Sequence, residues 1–423
     1  MKVLILGSGG REHALAWKIS KETNIEKIYC APGNAGTYNV AENVNLDIMD
    51  NDLLIDFVKE NSIGLTIVGP EAPLVNGIID EFEKNNLKIF GPKKYAAMLE
   101  GSKVFSKKIM QKYGIPTSRG EVFSDIELAI EFVKSNPWAR VVKADGLAAG
   151  KGVYVCDDEN EVINAITEIM QNKKFGDAGN KILLEEKLVG EEASFLVFSD
   201  GKIVKPMVST QDHKAVYVGD KGPNTGGMGA YGPAPVITKE LHNYAMEKIM
   251  LPTINAMASE GTPYVGILYG GLMITKDGPK VIEFNCRFGD PEAQPILTLL
   301  KSNLIDIIKS CIDGTLDMQD VVFDEGAACC VVLASGGYPG AYEKGKKISG
   351  IALADEVDRV KVFHGGTKIS EGDVLTNGGR VLGVTGIGNS IKESIDNAYL
   401  GVSKIDFENN YFRKDIGQKA LGR

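Results

Sequence analysis

A chain of 423 residues, 43% hydrophobic and 24% charged, can bury a sizeable core and form two to four compact units. Its net charge of −9 argues against a protein that coats nucleic acid, so phosphate binding must depend on local basic positions. Six scattered cysteines without Cys-x-x-Cys spacing exclude a disulfide scaffold, and no apolar run reaches the roughly 18 residues of a membrane span. With a first strand from Lys2 and no charged leader, these features predict a cytoplasmic globular protein.

Residues 1–100 alternate strand and helix signals. Apolar runs at 3–6, 27–30, 65–68 and 88–90 predict buried parallel strands, and amphipathic segments at 12–22, 52–61 and 74–85 predict helices. This layout predicts one doubly wound domain. Its first turn, residues 7–12, fits a dinucleotide fingerprint only superficially, because the sixth position is Glu12 and no acid follows the second strand. The turn therefore argues against a dehydrogenase, although its N–H groups and Arg11 suit an anion.

A helix predicted over 102–113 ends at a Gly-Ile-Pro stop signal, and a glycine-rich segment follows at 141–153 between two β-type runs. Gly146, Gly150 and Gly152 allow tight bends that turn N–H groups toward a phosphate, and Lys143 and Lys151 supply positive charge. The spacing is too short for a Walker A motif, and Gly152 stands where Ser or Thr would hold magnesium. A flexible hairpin with solvated lysines is the structural alternative.

The most informative stretch is 282–292, in which polar side chains alternate with apolar ones. If it is a strand, Glu283, Asn285 and Arg287 share one face. A carboxylate and an amide oxygen are hard ligands that suit a magnesium ion carrying nucleotide phosphates, and Arg287 would face the same phosphates. The alternative is a polar sheet edge with a solvated Arg–Glu pair.

A long polar, glycine-rich loop is predicted over 209–231, and a core helix over 238–260. The loop carries His213 between Asp212 and Lys214. Beyond residue 326, strands predicted at 327–334, 360–363 and 381–385 and a helix over 389–405 suggest a small mixed α/β cap.

Several motifs together resemble the phosphoribosylamine–glycine ligase family of ATP-grasp enzymes. They are the strand-lysine-glycine loop, the Glu-Phe-Asn-Cys-Arg strand, and the segments 7–14, 69–74, 183–192, 211–214, 224–231 and 412–417. The similarity covers essentially the whole chain. It implies an α/β fold with an α+β ATP-grasp core: a doubly wound N-terminal domain at 1–100, an ATP-grasp domain at 101–325 with a lid at about 118–188, and a C-terminal domain at 326–423.

The resemblance also implies the reaction: ATP-dependent ligation of glycine to 5-phosphoribosylamine through a glycyl phosphate, in purine synthesis. Attack by an amine on an acyl phosphate needs alignment and charge stabilisation more than a strong base, so His213 is less favoured as a general base. Expected partners are these small molecules, with no nucleic acid or membrane, for a monomer or weak homodimer. Alternatives are another ATP-grasp carboxylate–amine ligase and a non-catalytic nucleotide-binding protein.

The residues implied by the resemblance fall into four groups. The catalytic group is Arg287, Lys143 and Asp212. The ATP-binding group is Lys103, Lys143, Gly146, Gly150, Gly152, Glu185, Glu186, Lys187, Leu188 and Glu192. The substrate-binding group is Gly9, Gly10, Arg11, Glu12, Asp212, His213, Lys214, Gly226, Gly227, Met228, Arg287 and Asp290. The ligands for Mg²⁺ or Mn²⁺ are Glu283 and Asn285.

Two expectations stay open at this point. Many ATP-grasp ligases carry a second acid on the strand before the metal strand, but residues 267–274 contain none, which predicts weak metal binding without nucleotide. Arg413, Lys414 and Asp415 could contact substrate or dock the C-terminal region.

Overall fold

The N-terminal region of the computed structural model, which describes residues 1–147 and 152–422, contains a parallel sheet of five strands in the order β3-β2-β1-β4-β5. The strands are β1 Lys2–Gly7, β2 Lys27–Pro32, β3 Glu42–Asn43, β4 Leu65–Val68 and β5 Ile89–Phe90. The helices are α1 Gly10–Ser20, α2 Asn51–Glu60, α3 Glu71–Asn76, α4 Ile78–Lys84 and α5 Lys94–Gly101. The predicted doubly wound fold is confirmed.

The helix predicted over 74–85 is two helices, because the chain turns at Gly77. This glycine has φ of 96°, a left-handed conformation that ends α3 and that residues with a side chain rarely adopt. Strands β1, β2, β4 and β5 lie close to their predicted positions, since their apolar runs are buried in a parallel sheet, whereas the short strand β3 was not predicted.

A small antiparallel sheet follows helix α6, Lys103–Lys112, and has the strand order β6-β9-β7-β8. Its strands are β6 Gly120–Phe123, β7 Ala139–Ala144, β8 Val153–Val155 and β9 Ile182–Glu186, covered by α7 Ile126–Ser135 and α8 Glu159–Ile166. Residues such as Val142, Ile166 and Leu184 form a core of its own. Strands β7 and β8 flank the predicted glycine loop, but Gly150 and Lys151 lie outside the described residues.

The central antiparallel sheet has the order β11-β10-β16-β17, formed by β10 Glu191–Asp200, β11 Val204–Pro206, β16 Val265–Thr275 and β17 Gly278–Asn285. Strand β17 ends at Asn285, so the prediction that Arg287 continues this strand is wrong. The chain turns there toward Gly289 and Pro291, which redirects Arg287. The core helix predicted over 238–260 runs through α9 Lys239–Tyr244, a π-helical segment Ala245–Met250 and α10 Leu251–Ser259.

The C-terminal sheet has the order β12-β15-β18-β22-β19, with β23 Asn410–Tyr411 beside β18. Its strands are β12 Gln211–Asp212, β15 Gly229–Gly232, β18 Ala327–Ser335, β19 Val360–His364 and β22 Arg380–Gly388. Two hairpins join it, β13 Ala215–Tyr217 with β14 Lys221–Asn224, and β20 Thr367–Ser370 with β21 Asp373–Thr376. Helices α11 Ala293–Leu299, α13 Ile351–Asp355 and α14 Ile391–Val402 pack against this sheet, whereas α12 Leu304–Asp313 packs against the central sheet.

Strands β12 and β15 correct the prediction of a long loop over 209–231. Their short polar and glycine-rich sequences lack a strand signal, yet β15 pairs with β18, about a hundred residues further on. The sheet therefore crosses the boundary expected at residue 325.

The N-terminal domain and the central sheet share their hydrophobic cores. One cluster joins Leu4 and Leu6 to Phe195 and Leu268, and a second joins Val3 and Ile5 to Leu196. This packing holds the N-terminal domain against the central sheet. Of the helices in the described part of the chain, none is long and apolar enough to cross a membrane.

Candidate active site

The central cavity, about 580 Å³, lies between the small sheet, α6 and the end of β17. Most predicted site residues line it, although they come from distant parts of the chain. These lining residues are Arg11, Lys103, Lys143, Gly146, Gly152, Glu185, Glu186, Lys187, Leu188, Glu192, Asp212, Lys214, Gly226, Glu283, Asn285, Arg287 and Asp290. The charges that the sequence suggested for one site are therefore brought together.

Lys143 lies on β7 and is almost fully buried. Its Nζ is 2.6 Å from Glu185 Oε2 and donates to the carbonyl of Ile282 at 2.9 Å. Glu185 Oε1 lies 2.5 Å from Nζ of Lys107, a buried residue that the sequence prediction missed. The lysine predicted to bind phosphate is therefore held by a carboxylate and by the backbone of β17.

Lys103 opens α6 and points into the same space. Its Nζ donates to the Gly146 carbonyl at 3.1 Å, at the start of the glycine loop. Burial lowers the pKa of Lys103, and nearby Glu283 opposes that effect. Ser102 caps the helix and donates to Asp145, so the helix start and the loop are fixed together.

Glu283 and Asn285, the predicted metal ligands, lie at the end of β17 and line the central cavity. Although burial alone would raise it, the pKa of Glu283 is lowered because Lys214, Lys143 and Lys103 surround its carboxylate. One carboxylate and one amide oxygen fit a magnesium ion that takes its remaining ligands from phosphate and water. Within residues 1–147 and 152–422, no group of three potential His, Cys, Asp or Glu ligands occurs.

Two carboxylates that the sequence did not single out hold Arg287. Its Nε donates to Glu71 at 3.2 Å and its NH2 donates to Glu100 at 2.8 Å. The same NH2 is 3.3 Å from Asn285 Oδ1, so Arg287 stays beside the predicted metal ligands although it lies past the strand. Glu100 is further fixed because its other oxygen accepts the Cys286 N–H. Acids at 71 and 100 lie in unrelated helices, so their sequence positions give no signal of this contact.

Asp212 and Lys214 lie on the opposite wall. Burial, and then the nearby Glu292, raise the pKa of Asp212 well above its usual value, and its Oδ1 has no hydrogen-bond partner among the described residues. Lys214 Nζ is 3.1 Å from Glu192 and 3.7 Å from Glu283, and these carboxylates outweigh burial and raise its pKa. That oxygen is buried against Gly227, but Asp212 as a whole is only partly buried and lines the central cavity, so its carboxyl suits an ammonium ligand.

His213 and Met228 line neither the central cavity nor a second cavity, described below, between the N-terminal and C-terminal domains. His213 is buried, and burial together with Arg413 lowers its pKa to about 4. Met228 has no exposed surface and belongs to the core of the C-terminal sheet. The geometry thus gives no support to their predicted roles in substrate binding.

A second, interdomain cavity of about 740 Å³ lies between the N-terminal and C-terminal domains. Gly9 and Gly10 face it. Glu12 does not, because its carboxylate accepts the Gly9 N–H at 2.6 Å and Arg11 Nε at 2.5 Å. The far wall comes from residues 365–369 and 380–383, and Asn34 and Asn43 line the near wall.

The two cavities meet at Asp290 and Arg380, which line both. Arg380 NH1 donates to the Gly226 carbonyl at 2.6 Å, and its NH2 is 3.4 Å from Asp290 Oδ2. Gly227 adopts φ of 111°, and a side chain there would collide with Asp212 and Pro291. Arg380 was missed by the sequence prediction, because a lone arginine after two glycines has no distinctive spacing.

Arg413 forms a buried contact between the chain's C-terminal region and the β13–β14 hairpin. It makes a bidentate pair with Asp415 at 2.8 and 2.7 Å and donates to Asp220 at 2.9 Å. Arg413 has no exposed surface and does not line either of the two cavities. This geometry favours docking for Arg413 and Asp415.

A nucleotide-sized cavity between a small lid sheet and a central antiparallel sheet, with an acid–amide pair at a strand end, defines an ATP-grasp ligase. Residues 1–100, 101–293 and 328–419 match the models for the N domain, the ATP-grasp (A) domain and the C domain of phosphoribosylglycinamide synthetase. The chain belongs to the phosphoribosylglycinamide synthetase family.

Full-length relatives agree with this assignment. The chain is 52% identical to phosphoribosylamine–glycine ligase of Vibrio parahaemolyticus, over 100% of this chain and 99% of the relative. The identity to the Salmonella typhimurium ligase is 50%, with the same coverage.

Solved structures agree as well. A crystal structure of phosphoribosylamine–glycine ligase from Thermotoga maritima matches with a TM-score of 0.86 at 34% identity, over 98% of this chain and 100% of that chain. The N5-carboxyaminoimidazole ribonucleotide synthetase of the same organism matches with a TM-score of 0.65 at 18% identity, over 96% and 99%, and shows the shared fold alone.

Proposed function

We propose that this protein ligates glycine to 5-phosphoribosylamine with ATP, giving glycinamide ribonucleotide, ADP and phosphate. The observation that carries the proposal is the meeting of two cavities at Asp290 and Arg380, one rich in charged side chains and one lined mainly by glycines, amides and hydroxyls. Such a junction brings a phosphoryl donor close to a sugar-borne amine. The relatives, named phosphoribosylamine–glycine ligases over nearly their full length, support the same substrates.

ATP is proposed to occupy the central cavity, with its phosphates near Lys103 and Lys143 and its adenine near the main chain of 186–188. Lys187 pairs with Asp157 at 2.7 Å, so main-chain groups are the better candidates for reading the base. Glu283 and Asn285 would hold Mg²⁺ or Mn²⁺, which when bound neutralises phosphate charge and orients the transferred group.

The chemistry proceeds in two displacements without a covalent enzyme intermediate. A glycine carboxylate oxygen attacks the γ-phosphorus, the bond to the β-phosphate oxygen breaks, and glycyl phosphate and ADP form. The amine of phosphoribosylamine then attacks the acyl carbon, phosphate leaves, and the new amide nitrogen loses a proton. Arg287, fixed by Glu71 and Glu100, would stabilise negative charge on the transferred phosphoryl group and on the tetrahedral intermediate.

The two other substrates are assigned from the walls that ATP leaves free. The carboxyl of Asp212, which lines the central cavity, suits the glycine ammonium, whose positive charge would lower the raised pKa of that carboxyl. The interdomain cavity offers Lys368 and the amide of Asn43 to a sugar phosphate, whereas the amide of Asn34 is already used by the carbonyls of Ser8 and His364. The six unpaired, buried cysteines favour a reducing cytoplasm as the compartment, and we expect a monomer or weak homodimer.

The test is ADP release by the purified chain with ATP, magnesium and freshly generated phosphoribosylamine, with and without glycine. We expect release that requires both co-substrates and a product with the mass of glycinamide ribonucleotide. ADP release that ignores glycine but responds to another carboxylate would replace this proposal with a different ATP-grasp carboxylate–amine ligase.

A further inference from the structure

Lys107 is a buried cation that belongs to none of the motifs. It lies on α6, has only 1% of its surface exposed, and borders the central cavity. Its Nζ donates to Thr117 Oγ1 at 2.9 Å, to the Ser118 carbonyl at 2.8 Å and to Ser118 Oγ at 3.1 Å, and it lies 2.5 Å from Glu185 Oε1. An ammonium has three N–H donors, so these four acceptors leave Lys107 none for a ligand.

Lys143, its neighbour across Glu185, has donor capacity to spare. Among residues 1–147 and 152–422, its contacts are to Glu185 Oε2 and the Ile282 carbonyl, and these leave one N–H for a group in the cavity. Glu185 therefore links two lysines of different kinds. One is saturated by protein and the other is able to bind a ligand.

The summed charge of Lys107, Lys143 and Glu185 decides whether a phosphate near Lys143 would be attracted. Glu185 with Lys143 alone is a neutral pair, and a phosphate would have to compete with a buried carboxylate 2.6 Å away. With Lys107 added, the three side chains carry one net positive charge. Although burial alone would raise it, the pKa of Glu185 is lowered because Lys143 and Lys107 both face it, so the carboxylate stays ionised.

We infer that Lys107 is a positioning residue for nucleotide binding: it neutralises Glu185, so that the charge of Lys143 remains available to a nucleotide phosphate. The inference rests on the proposed binding of ATP in the central cavity. It assigns Lys107 no contact with the nucleotide, and it assigns the carboxylate of Glu185 to Lys143 rather than to the adenine.

The test is calorimetric titration of the full chain with ADP and magnesium, which needs neither glycine nor phosphoribosylamine. Lys107→Met is expected to weaken ADP binding roughly ten- to hundredfold, because the remaining lysine is then neutralised by Glu185. Lys108→Met is the matched control, since Lys108 is the exposed neighbour on the same helix. The affinity of this variant for ADP should stay within about twofold of wild type.

The double variant Lys107→Met with Glu185→Gln separates positioning from direct contact. It restores one net positive charge at Lys143, which keeps its hydrogen bond to the Ile282 carbonyl and the nearby Glu283 carboxylate, so the double variant is expected to fold and to bind ADP within about threefold of wild type. A merely structural or ligand-contacting Lys107 would not allow that recovery. Unchanged affinity in Lys107→Met, or a double variant as weak as a poorly binding single one, would overturn the inference.

The wild-type titration keeps this inference distinct from the proposed function. A wild-type chain that binds no nucleotide would overturn the proposed function together with the inference that depends on it. A wild-type chain that binds ADP while Lys107→Met matches it would overturn the inference alone.

Discussion

The two cavities of this protein are lined by different kinds of residue. The central cavity is lined by charged side chains that balance one another, such as Lys143 with Glu185 and Arg287 with Glu71 and Glu100. The interdomain cavity is lined mainly by backbone, glycines, amides and hydroxyls from segments about 330 residues apart, as where Asn34 Nδ2 donates to the His364 carbonyl. The central cavity is suited to bind a charged ligand through ionic contacts, and the interdomain cavity is suited to bind a ligand through its fit to the backbone and to uncharged polar groups. Substitutions should therefore damage them in different ways.

The largest effect is expected where the central cavity loses a ligand for the metal. Glu283→Ala should lower the rate of ADP formation roughly a hundred- to thousandfold, because the metal–phosphate charge then lacks its carboxylate. Steady-state kinetics at saturating substrates measures it. Glu240→Ala, at an exposed position on α9, is the control and should leave the rate unchanged. A fully active Glu283→Ala enzyme would remove the metal role from this strand.

A smaller effect is expected at the junction of the cavities. Arg380→Gln loses the charged donor to Gly226 and Asp290, and kcat/KM for phosphoribosylamine should fall roughly ten- to hundredfold. The KM for ATP should change less, because Lys103 and Lys143 are untouched. Arg359→Gln, at an exposed ion pair of the C-terminal domain, serves as control. An equal loss for both substrates would show that the junction does not separate the two sites.

In the interdomain cavity, Asn34→Ala should reduce stability by about 2 kcal/mol, because several buried hydrogen bonds lose their partner. The Asn34 side chain donates to the carbonyls of Ser8 and His364 and accepts the N–H groups of Gly36 and Thr37. Urea unfolding measures this loss, with the exposed Asn39→Ala as a control expected within about 0.5 kcal/mol of wild type. Equal stability of the two variants would show that this network is dispensable.

The smallest effect concerns pH. His13 and His364 pack together behind the interdomain cavity, and burial lowers the pKa of both, that of His364 to about 4. The unfolded chain takes up these protons near pH 6.5, so stability is unaffected above that pH and is lost as pH falls toward 4. When the pH is lowered from 7.5 to 5.5, the free energy of unfolding of His364→Asn should therefore fall by about 1 kcal/mol less than that of wild type.

Asn39→Ala, the exposed substitution already used as a stability control, is also the control for the pH experiment. It removes no titratable group and should leave the pH dependence of the unfolding free energy as in wild type. A His364→Asn variant with the wild-type pH dependence would exclude this histidine as a source of acid sensitivity.

Spacing along the chain predicted only a few residues of the central cavity, and the family resemblance implied most of the others that the sequence analysis named. Glu283 and Asn285 alternate along a strand, and Lys143 ends a β-type run before glycines. The prediction could not reach Glu71, Glu100, Lys107 or Arg380, because nothing in their local sequence shows which distant residue they pair with. Strand β15 was missed for the same reason, since its partner β18 stabilises a sequence with little strand propensity.

The contact between Glu71 and Arg287 has a consequence for protein engineering. Glu71 belongs to the N-terminal domain, whereas Arg287 follows the last strand of the central sheet. Glu100 is also part of the N-terminal segment, 1–100, so an excised ATP-grasp segment, 101–293, would keep its lysines and its acid–amide pair but would lose both carboxylates that orient its arginine. The three family segments of this chain are therefore not interchangeable, and a chimera with a foreign N-terminal domain must supply acids at both positions.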